Sequence, residues 1–292
     1  MAGRFLQGIG AAGASPIVLP LVGDLFQEEE EVSKGLGIIE TSNTFGKVLS
    51  PILGAVLATL IWYLPFFAFP LFCLLSVFMM IILVPAPSSD EATLAFAAFI
   101  KKIKTIFKRE GRWLFSVFAA GGICMYILFG VLFYLSTVLE DQYQIEGIKK
   151  GIILAIPLAT LCLSSYVTGK QIGQKKDRMK WIIVVGFGLI TLATFTISFS
   201  KDIYILLTAL VASGIGIGVV LPSLDALVTA GIVKEQRGSV TSIYSSMRFV
   251  GIAVGPPAFA FLMKGSHFLL FFLQYAYLFT CGRHRTDRDP TG

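Results

Sequence analysis

The sequence predicts an all-α membrane protein whose chain crosses the bilayer about nine times. Three observations lead to this fold class: the composition, a series of apolar stretches of spanning length, and an uneven distribution of basic residues. Hydrophobic residues make up 55% of the 292 residues, charged residues make up only 14%, and the mean hydropathy is +0.78. Because a soluble domain carries about 25% charged residues, this composition excludes a water-soluble enzyme, a disordered chain and a secreted disulfide scaffold.

Each predicted span is an apolar stretch that lies between short polar breaks. A helix needs about 20 mostly apolar residues to cross roughly 30 Å of hydrocarbon, and the chain offers such stretches repeatedly. The last stretch is the shortest of the series. In chain order the predicted spans are Phe5–Leu25, Gly35–Tyr63, Leu64–Val84, Trp113–Leu139, Gly151–Thr168, Trp181–Phe199, Ile203–Val233, Val240–Met263 and Phe268–Cys281.

Basic residues concentrate in alternate connections between these spans. One set of connections holds 17 of the 24 Lys and Arg residues, the opposite set holds five, and Lys47 and Arg248 lie inside spans. Cytoplasmic loops of membrane proteins carry an excess of Lys and Arg, so the richer set is predicted to face the cytoplasm. The net charge of +6 therefore needs no nucleic-acid partner. The richer set comprises Leu25–Lys34, Pro85–Arg112, Gly169–Lys180, Lys234–Arg237 and the tail after Cys281.

Two adjacent spans near the start of the chain recur in the second half. An even number of spans per copy gives both copies the same orientation, so the repeat indicates a parallel duplication with six helices per half. Nine spans then leave the first copy without its three opening helices. The aligned residues are Gly8-Ile9-Gly10 and Pro16 with Gly214-Ile215-Gly216 and Pro222, and Gly46 and Pro51 with Gly251 and Pro256.

The duplication predicts the domain organisation. Residues 1–84 supply three helices of an N-terminal six-helix bundle, residues 85–112 form a basic cytoplasmic linker, residues 113–281 form the C-terminal six-helix bundle, and residues 282–292 are a tail. The Lys and Arg residues of the linker favour an amphipathic segment on anionic lipid over a nucleic-acid patch.

Motifs of other functional classes are absent from the sequence. There is no phosphate-binding Gly-x-x-x-x-Gly-Lys-Ser/Thr loop and no Gly-x-Ser-x-Gly nucleophile elbow. The four cysteines show no Cys-x-x-Cys spacing, and the two histidines lie outside any ligand spacing. The sequence therefore predicts no enzyme activity, no catalytic residue, no metal site and no cofactor.

Three sequence motifs lie in the first span, in the second span and in the connection after the fifth span. The first span contains Arg-x-x-Gln-Gly-x-Gly-Ala-Ala, which begins at Arg4 and includes Gln7. The second span reads Gly-Lys-Val-Leu-Ser-Pro-Ile-Leu-Gly-Ala from Gly46 onward, and the connection after the fifth span reads Gly-Gln-Lys-Lys-Asp-Arg from Gly173 onward. These motifs resemble the fourth-helix, fifth-helix and cytoplasmic-loop signatures of the major facilitator superfamily, specifically its drug-efflux branch of twelve-helix proton antiporters.

The resemblance implies a major facilitator-type bundle in which this chain supplies helices 4–12 of two six-helix halves related by a pseudo-twofold axis. It also implies that Arg4 and Gln7 take part in proton coupling. Gly173, Asp177 and Arg178 would form a cytoplasmic latch that holds neighbouring helix ends by charge.

Asp225 and Arg237 flank the cytoplasmic connection after the seventh span. Their position predicts a structural part similar to that of the latch.

Small residues form a stripe on the second and on the eighth span. Gly46, Ser50 and Gly54 are four residues apart, so they share one helix face and allow another backbone to approach closely. Pro51 removes a backbone donor and can bend the helix. Both stripes are expected at helix interfaces. Small residues would serve there whether the interface is only tightly packed or also moves during transport. The stripe of the eighth span comprises Gly251, Gly255 and Pro256.

The second span carries charges inside the predicted hydrocarbon region. Glu40, Asn43, Thr44 and Lys47 fall at helical spacings, so they share one face. A charge at the centre of a bilayer costs about 2.5–3.5 kcal/mol on insertion scales, so this face is predicted to line water or a protein cavity. At 1.5 Å per residue, Lys47 lies about 20 Å from the start of the span, near mid-depth. The alternative is a structural pair in which Glu40 reaches the cytoplasmic rim.

The eighth span carries a comparable polar face made of Thr241, Tyr244, Ser245 and Arg248. Two polar faces related by a duplication are the arrangement expected around a central cavity between two halves. The residues predicted to serve transport and proton coupling are Arg4, Gln7, Glu40, Asn43, Lys47, Tyr244 and Arg248.

The resemblance implies the function. The chain is expected to be a multi-pass, monomeric transporter of the plasma membrane that exports drugs or other small organic molecules in exchange for protons by alternating access. Its partners would be the lipid bilayer, the organic substrate and the proton, without nucleic acid. Two alternatives stay open: a siderophore or metabolite exporter of the same fold, and a truncated fragment that does not transport.

Overall fold

The computed structural model describes residues 2–14, 21–22, 29–83, 96–171, 176–199, 202–232 and 234–263. All regular structure within these ranges is helical, which confirms the predicted all-α fold class. The helices with defined bounds are α1 (Ala2–Ala14), α2 (Glu29–Leu60), α3 (Leu64–Leu83), α4 (Phe96–Asp141), α5 (Gly147–Gln171), α6 (Lys176–Phe199), α7 (Ile203–Gly231) and α8 (Lys234–Met263).

Helices α2 to α7 each contain a segment that is long and apolar enough to cross a membrane. Helix α8 has 30 residues, a sufficient length, but its polar face keeps it out of this set. The predicted first span is described only in part, and the predicted ninth span and tail lie outside the described residues. The six segments are Lys34–Leu60, Leu64–Leu83, Trp113–Asp141, Gly147–Gln171, Met179–Ile197 and Ile203–Thr229.

Two connections, α4 to α5 and α6 to α7, lie at the end predicted to face outside the cell, and each has only a few residues between the helices. Between α4 and α5, Gly147 has a φ of +61°, in the left-handed region that favours glycine, and Lys150 pairs with Glu140 at 2.9 Å. Asp202 is the N-cap of α7, and its carboxylate accepts a hydrogen bond from the Tyr204 N–H at 2.8 Å. Short connections of this kind place consecutive helices antiparallel to each other.

Helix α7 occupies the centre of the described bundle. Its residues 220–229 are buried without interruption, and it contacts α2, α4, α5, α6 and α8. Helix α4 packs along α8, and α2 packs along α5. Helix α3 has no buried residue, so its apolar side chains all lie on the surface of the described part. A helix that is apolar all round and buried nowhere is suited to contact with lipid.

Glycines let α2 and α5 approach each other closely near both ends of their contact. A Cβ atom added to Gly37 would stand 2.7 Å from the Cα of Gly169, and the reciprocal distance is also 2.7 Å. Farther along, a Cβ on Gly151 would stand 2.8 Å from the carbonyl oxygen of Pro51 and 3.2 Å from the Cβ of Ala55. Any larger side chain at these positions would force the two backbones apart.

The two predicted small-residue stripes have different surroundings. Gly251 and Gly255 lie against the α4 backbone, where added Cβ atoms would meet the carbonyl oxygens of Gly122 and Tyr126. Close packing of α8 on α4 therefore depends on this stripe, and the neighbouring Pro256 lies in the same helix.

The stripe on α2 has no such neighbour in the part of the chain that the structure describes. No atom lies within 4 Å of a Cβ added to Gly46 or Gly54, and Ser50 is exposed. The contact with α5 is made instead by Pro51 and Ala55, on an adjacent face of the helix. The interface role of Gly46, Ser50 and Gly54 stays a prediction.

Part of the predicted linker is helical. Residues 96–112 continue without a break into the predicted fourth span, and together they form the 46-residue helix α4. Ile106 is buried, whereas Lys104 and Lys108 are exposed. The segment is thus amphipathic, and the boundary predicted at residue 112 falls inside a helix.

Candidate functional site

Four charged side chains meet between α2, α7 and α8, and Arg248 is the residue that joins them. Its Nη2 atom donates to Glu40 of α2, at 3.0 Å from Oε1 and 3.1 Å from Oε2. Its Nη1 atom donates to Asp225 of α7, at 3.3 Å from Oδ1 and 3.5 Å from Oδ2. Lys47, on the same helix as Glu40, places Nζ 4.0 Å from Oε1 of Glu40. We call Glu40, Lys47, Asp225 and Arg248 the charge cluster.

The charge cluster is shielded from solvent. The Glu40 side chain is 4% exposed and the Asp225 side chain 0%, while those of Arg248 and Lys47 are 11% and 17% exposed. Removing ions from water costs several kcal/mol for each ion unless opposite charges and hydrogen bonds compensate. Two carboxylates and two cations balance formally, and the planar fork of an arginine can bond two carboxylates at once.

Local structure on α2 orients Glu40 and Lys47 toward the same side. The residues are seven positions apart, which is close to two helical turns. Thr44 lies between them, is fully buried, and donates its hydroxyl to the carbonyl oxygen of Glu40 at 2.8 Å. Asn43, the next predicted site residue, is exposed beside this pair.

Aromatic packing fixes the position of Arg248. Its Cζ atom lies 5.7 Å from the centre of the Tyr244 ring, within the range of a cation–π contact. Tyr244 is fully buried and packs on Phe118 at 6.1 Å between ring centres. A Cβ on Gly121 would stand 2.6 Å from the Tyr244 ring, so the missing side chain of Gly121 makes room for it.

The cluster joins residues that the predicted domain organisation assigns to different halves. Glu40 lies in the predicted N-terminal bundle, and Arg248 and Asp225 lie in the predicted C-terminal bundle. Glu40 and Arg248 are 208 positions apart in the chain. The ion pair between them therefore bridges the predicted boundary.

Asp225 is the member that the sequence interpretation placed incorrectly. Its location after an apolar stretch suggested a structural part at a cytoplasmic connection, but the structure buries it in the charge cluster. It lies six residues before the end of α7, about 9 Å along the helix axis. An acidic residue within a predicted span is itself a signal of function, and this signal would have found it.

The other predicted site residues have mixed outcomes. Gln7 lies at an exposed position of α1, and the side chain of Arg4 lies outside the described part. Gly173 is likewise outside, and Asp177 and Arg178 belong to α6 without described side chains. Proton coupling through Arg4 and the cytoplasmic latch stay predictions.

A separate cavity of about 510 Å³ lies among α5, α6 and α7. Its lining is mainly apolar, with the hydroxyl groups of three residues and one amide on the α5 side, and it contains no member of the charge cluster. The lining residues are Thr160, Leu163, Ser164, Val167, Thr168, Gln171, Ile182, Ile215 and Val219.

Comparison with known proteins gives consistent matches. The sequence profile described as Major Facilitator Superfamily matches residues 1–256. A protein of Bacillus subtilis (strain 168) named Bacillibactin exporter is 53% identical over 275 residues, which cover 94% of this chain and 68% of that protein.

Two solved structures share the fold at low sequence identity. The human organic anion transporter MFSD10 (TETRAN) has a TM-score of 0.74 at 18% identity, over 90% of this chain and 65% of that one. A bacterial homologue of the iron transporter ferroportin, in an outward-facing state, has a TM-score of 0.68 at 17% identity, over 95% of this chain and 70% of that one. The chain thus spans about two thirds of the length of each of these three proteins.

Proposed function

The chain belongs to the major facilitator superfamily, and on that premise we propose that it exports a siderophore across the cell membrane in exchange for protons. Members of this family that match the chain are named as transporters and not as enzymes. We further propose that the protein acts as a monomer, embedded in the lipid bilayer, by alternating access.

The observation that carries the proposal is the contact between Glu40 and Arg248. Alternating access requires two halves to rock against each other around a central site. Contacts between the halves must then form in one state and break in another. An ion pair with donor–acceptor distances of 3.0 and 3.1 Å across the predicted boundary is a contact of this kind.

Asp225 makes it feasible to break that contact. A buried arginine that loses its only carboxylate partner would leave an uncompensated charge, which costs about 3–5 kcal/mol. Arg248 also holds Asp225, a residue of its own predicted half, at 3.3 Å. When the halves separate, Arg248 keeps Asp225, and only Glu40 loses its strong partner.

Glu40 is therefore the proposed proton acceptor. Without Arg248, its nearest cation is Lys47, at 4.0 Å and not hydrogen bonded. A buried carboxylate without a close partner is neutralised most readily by a proton. Separation of the halves and uptake of a proton by Glu40 would then occur together.

The relative named Bacillibactin exporter supports a siderophore as the substrate, since bacillibactin is a siderophore. Drug export is the second candidate. It is favoured by the resemblance of the segment from Gly46 to Ala55 to the antiporter signature of the drug-efflux branch. The identity of 53% over 94% of the chain gives the siderophore the stronger support.

One experiment on the intact host distinguishes siderophore export from drug export. Deletion of the gene should leave siderophore inside the cells and deplete it from iron-poor medium, and the wild-type gene should restore secretion. Unchanged secretion together with a lost tolerance to drugs would favour drug export instead. A variant with Arg248→Leu should insert into the membrane without restoring secretion.

A further inference from the structure

The ammonium group of Lys47 is a buried cation without a hydrogen-bond partner. Its Nζ atom is buried, and its contact with Oε1 of Glu40 is 4.0 Å long, beyond hydrogen-bond distance. The other cation of the cluster differs in this respect, because Arg248 bonds two carboxylates at 3.0 to 3.5 Å. Of the two cations, Lys47 is the one whose terminal nitrogen makes no hydrogen bond within the described part of the chain.

A buried ammonium whose N–H groups have no acceptor is unfavourable unless a ligand or another group accepts their hydrogen bonds. A lysine ammonium has three N–H donors. A buried donor without an acceptor loses its hydrogen bonds to water and gains none in the protein, which costs free energy. The carboxylates of the charge cluster do not supply the acceptor in this arrangement, because the Glu40 oxygen paired with Nζ lies 4.0 Å away, beyond hydrogen-bond distance. The arrangement therefore leaves the donors of Nζ available to an acceptor from outside the cluster.

The surroundings of Lys47 are suited to a ligand. Its side chain is 17% exposed although Nζ itself is buried, so separation of the two halves would open the ammonium to a molecule between them. Asn43, four residues earlier on the same helix face, is exposed and hydrogen-bonds the Glu40 carboxylate, and its amide oxygen stays an acceptor.

From this geometry we propose that Lys47 is the receptor for an anionic oxygen of the transported molecule. The inference rests on the proposed function and names the substrate class of the same site. Siderophores chelate iron through oxygen atoms that carry negative charge, such as those of carboxylates and catecholates. A charge-assisted hydrogen bond from a shielded ammonium selects such a group, while the same ammonium repels a lipophilic cation. Lys47 is thus a residue that determines specificity.

Binding to the purified full chain in lipid nanodiscs tests the proposal. The probes are 2,3-dihydroxybenzoate, which is an anion, and 2,3-dihydroxybenzamide, which has nearly the same shape without the charge. The wild type should bind the anion at least about tenfold more tightly than the amide. Lys47→Met should lose this preference and bind the amide as before, whereas Lys47→Arg should retain the preference.

Controls separate a loss of charge from a loss of folding. Lys149→Met removes an exposed lysine in the first turn of α5, outside the charge cluster, and should leave both affinities unchanged. If Lys47→Met does not elute as a folded protein, Lys47→Gln replaces it in the comparison. A wild type that binds both probes equally, or a Lys47→Met or Lys47→Gln variant that keeps the tenfold preference, would overturn the proposal.

The binding experiment on Lys47 and the gene-deletion experiment can fail independently of each other. If gene deletion leaves siderophore secretion unchanged but Lys47 governs the preference for the anion, the proposed function fails and the anion receptor stands. If deletion retains siderophore in the cells but Lys47→Met binds like the wild type, the receptor fails and the export function stands.

Discussion

Glu40 on α2 and Arg248 on α8 form a buried ion pair across 208 positions of the chain, with Nη2 of Arg248 at 3.0 and 3.1 Å from the two carboxylate oxygens. The second carboxylate on Arg248 belongs to Asp225, at 3.3 Å. Arg248 thus forms ion pairs with one carboxylate from each predicted half. The four predictions below follow from this arrangement and from the packing that positions it.

Arg248→Lys is expected to fail almost as completely as Arg248→Leu. A lysine presents a compact point charge on a flexible stem, whereas the planar guanidinium bonds Glu40 and Asp225 with different nitrogen atoms. We expect transport to fall by at least about tenfold in both variants, with normal membrane insertion. Efflux assays in cells, with protein amounts measured in the membrane fraction, check this. Near-normal efflux by the lysine variant would show that bridging two carboxylates is unnecessary.

Asp225→Asn is expected to slow transport and to leave substrate binding nearly unchanged. Without a charged Asp225, Arg248 has only Glu40 as an ionic partner, so the pair that joins the halves resists separation. The maximal transport rate should fall about tenfold or more, while the substrate affinity stays within about threefold. Initial-rate kinetics and equilibrium binding on the same preparation separate the two effects. A large loss of affinity with an unchanged maximal rate would place Asp225 in substrate binding instead.

Gly37→Ala is expected to destabilise the contact between α2 and α5. The added Cβ would stand 2.7 Å from the backbone Cα of Gly169, which cannot move away as a flexible side chain can. Overpacking of this kind costs about 1–3 kcal/mol, so the thermal midpoint in detergent should fall. The matched control is Gly188→Ala on α6, where no atom lies within 4 Å of the new Cβ. Its midpoint should stay unchanged or rise slightly, since alanine favours helix by up to about 1 kcal/mol over glycine. Equal midpoints for both variants would contradict the close approach.

The sequence was sufficient to predict the fold class and several members of the site. Apolar length and the distribution of basic residues predict the spans because hydrocarbon thickness and backbone hydrogen bonding leave a chain few alternatives. Glu40, Lys47 and Arg248 were predictable because a charge in hydrocarbon is costly and therefore needs a partner. Tyr244 followed from its position one helical turn before Arg248.

The partners themselves were not predictable from one sequence. The pairing of Glu40 with Arg248 depends on tertiary packing over 208 positions, and helical periodicity is local. The same limit applies to the stripe on α2. Spacing identifies the small residues on a face, but the position of α5 decides that Pro51 and Ala55, rather than Gly46 and Gly54, make the contact. The basic residues before residue 113 suggested a linker, yet basic side chains do not interrupt a helix, and α4 runs from Phe96 to Asp141.

The coupling of protons to the Glu40–Arg248 contact is tested most directly by transport in proteoliposomes that contain the purified full-length protein. Bacillibactin is supplied on one side, and its movement is measured with a proton gradient and, separately, as exchange between labelled and unlabelled bacillibactin without a gradient. For the wild type, the gradient should drive net movement against the substrate concentration. Glu40→Gln should still exchange substrate but should no longer respond to the gradient, because an amide cannot accept the proton. Net gradient-driven transport by Glu40→Gln at the wild-type rate would contradict the account.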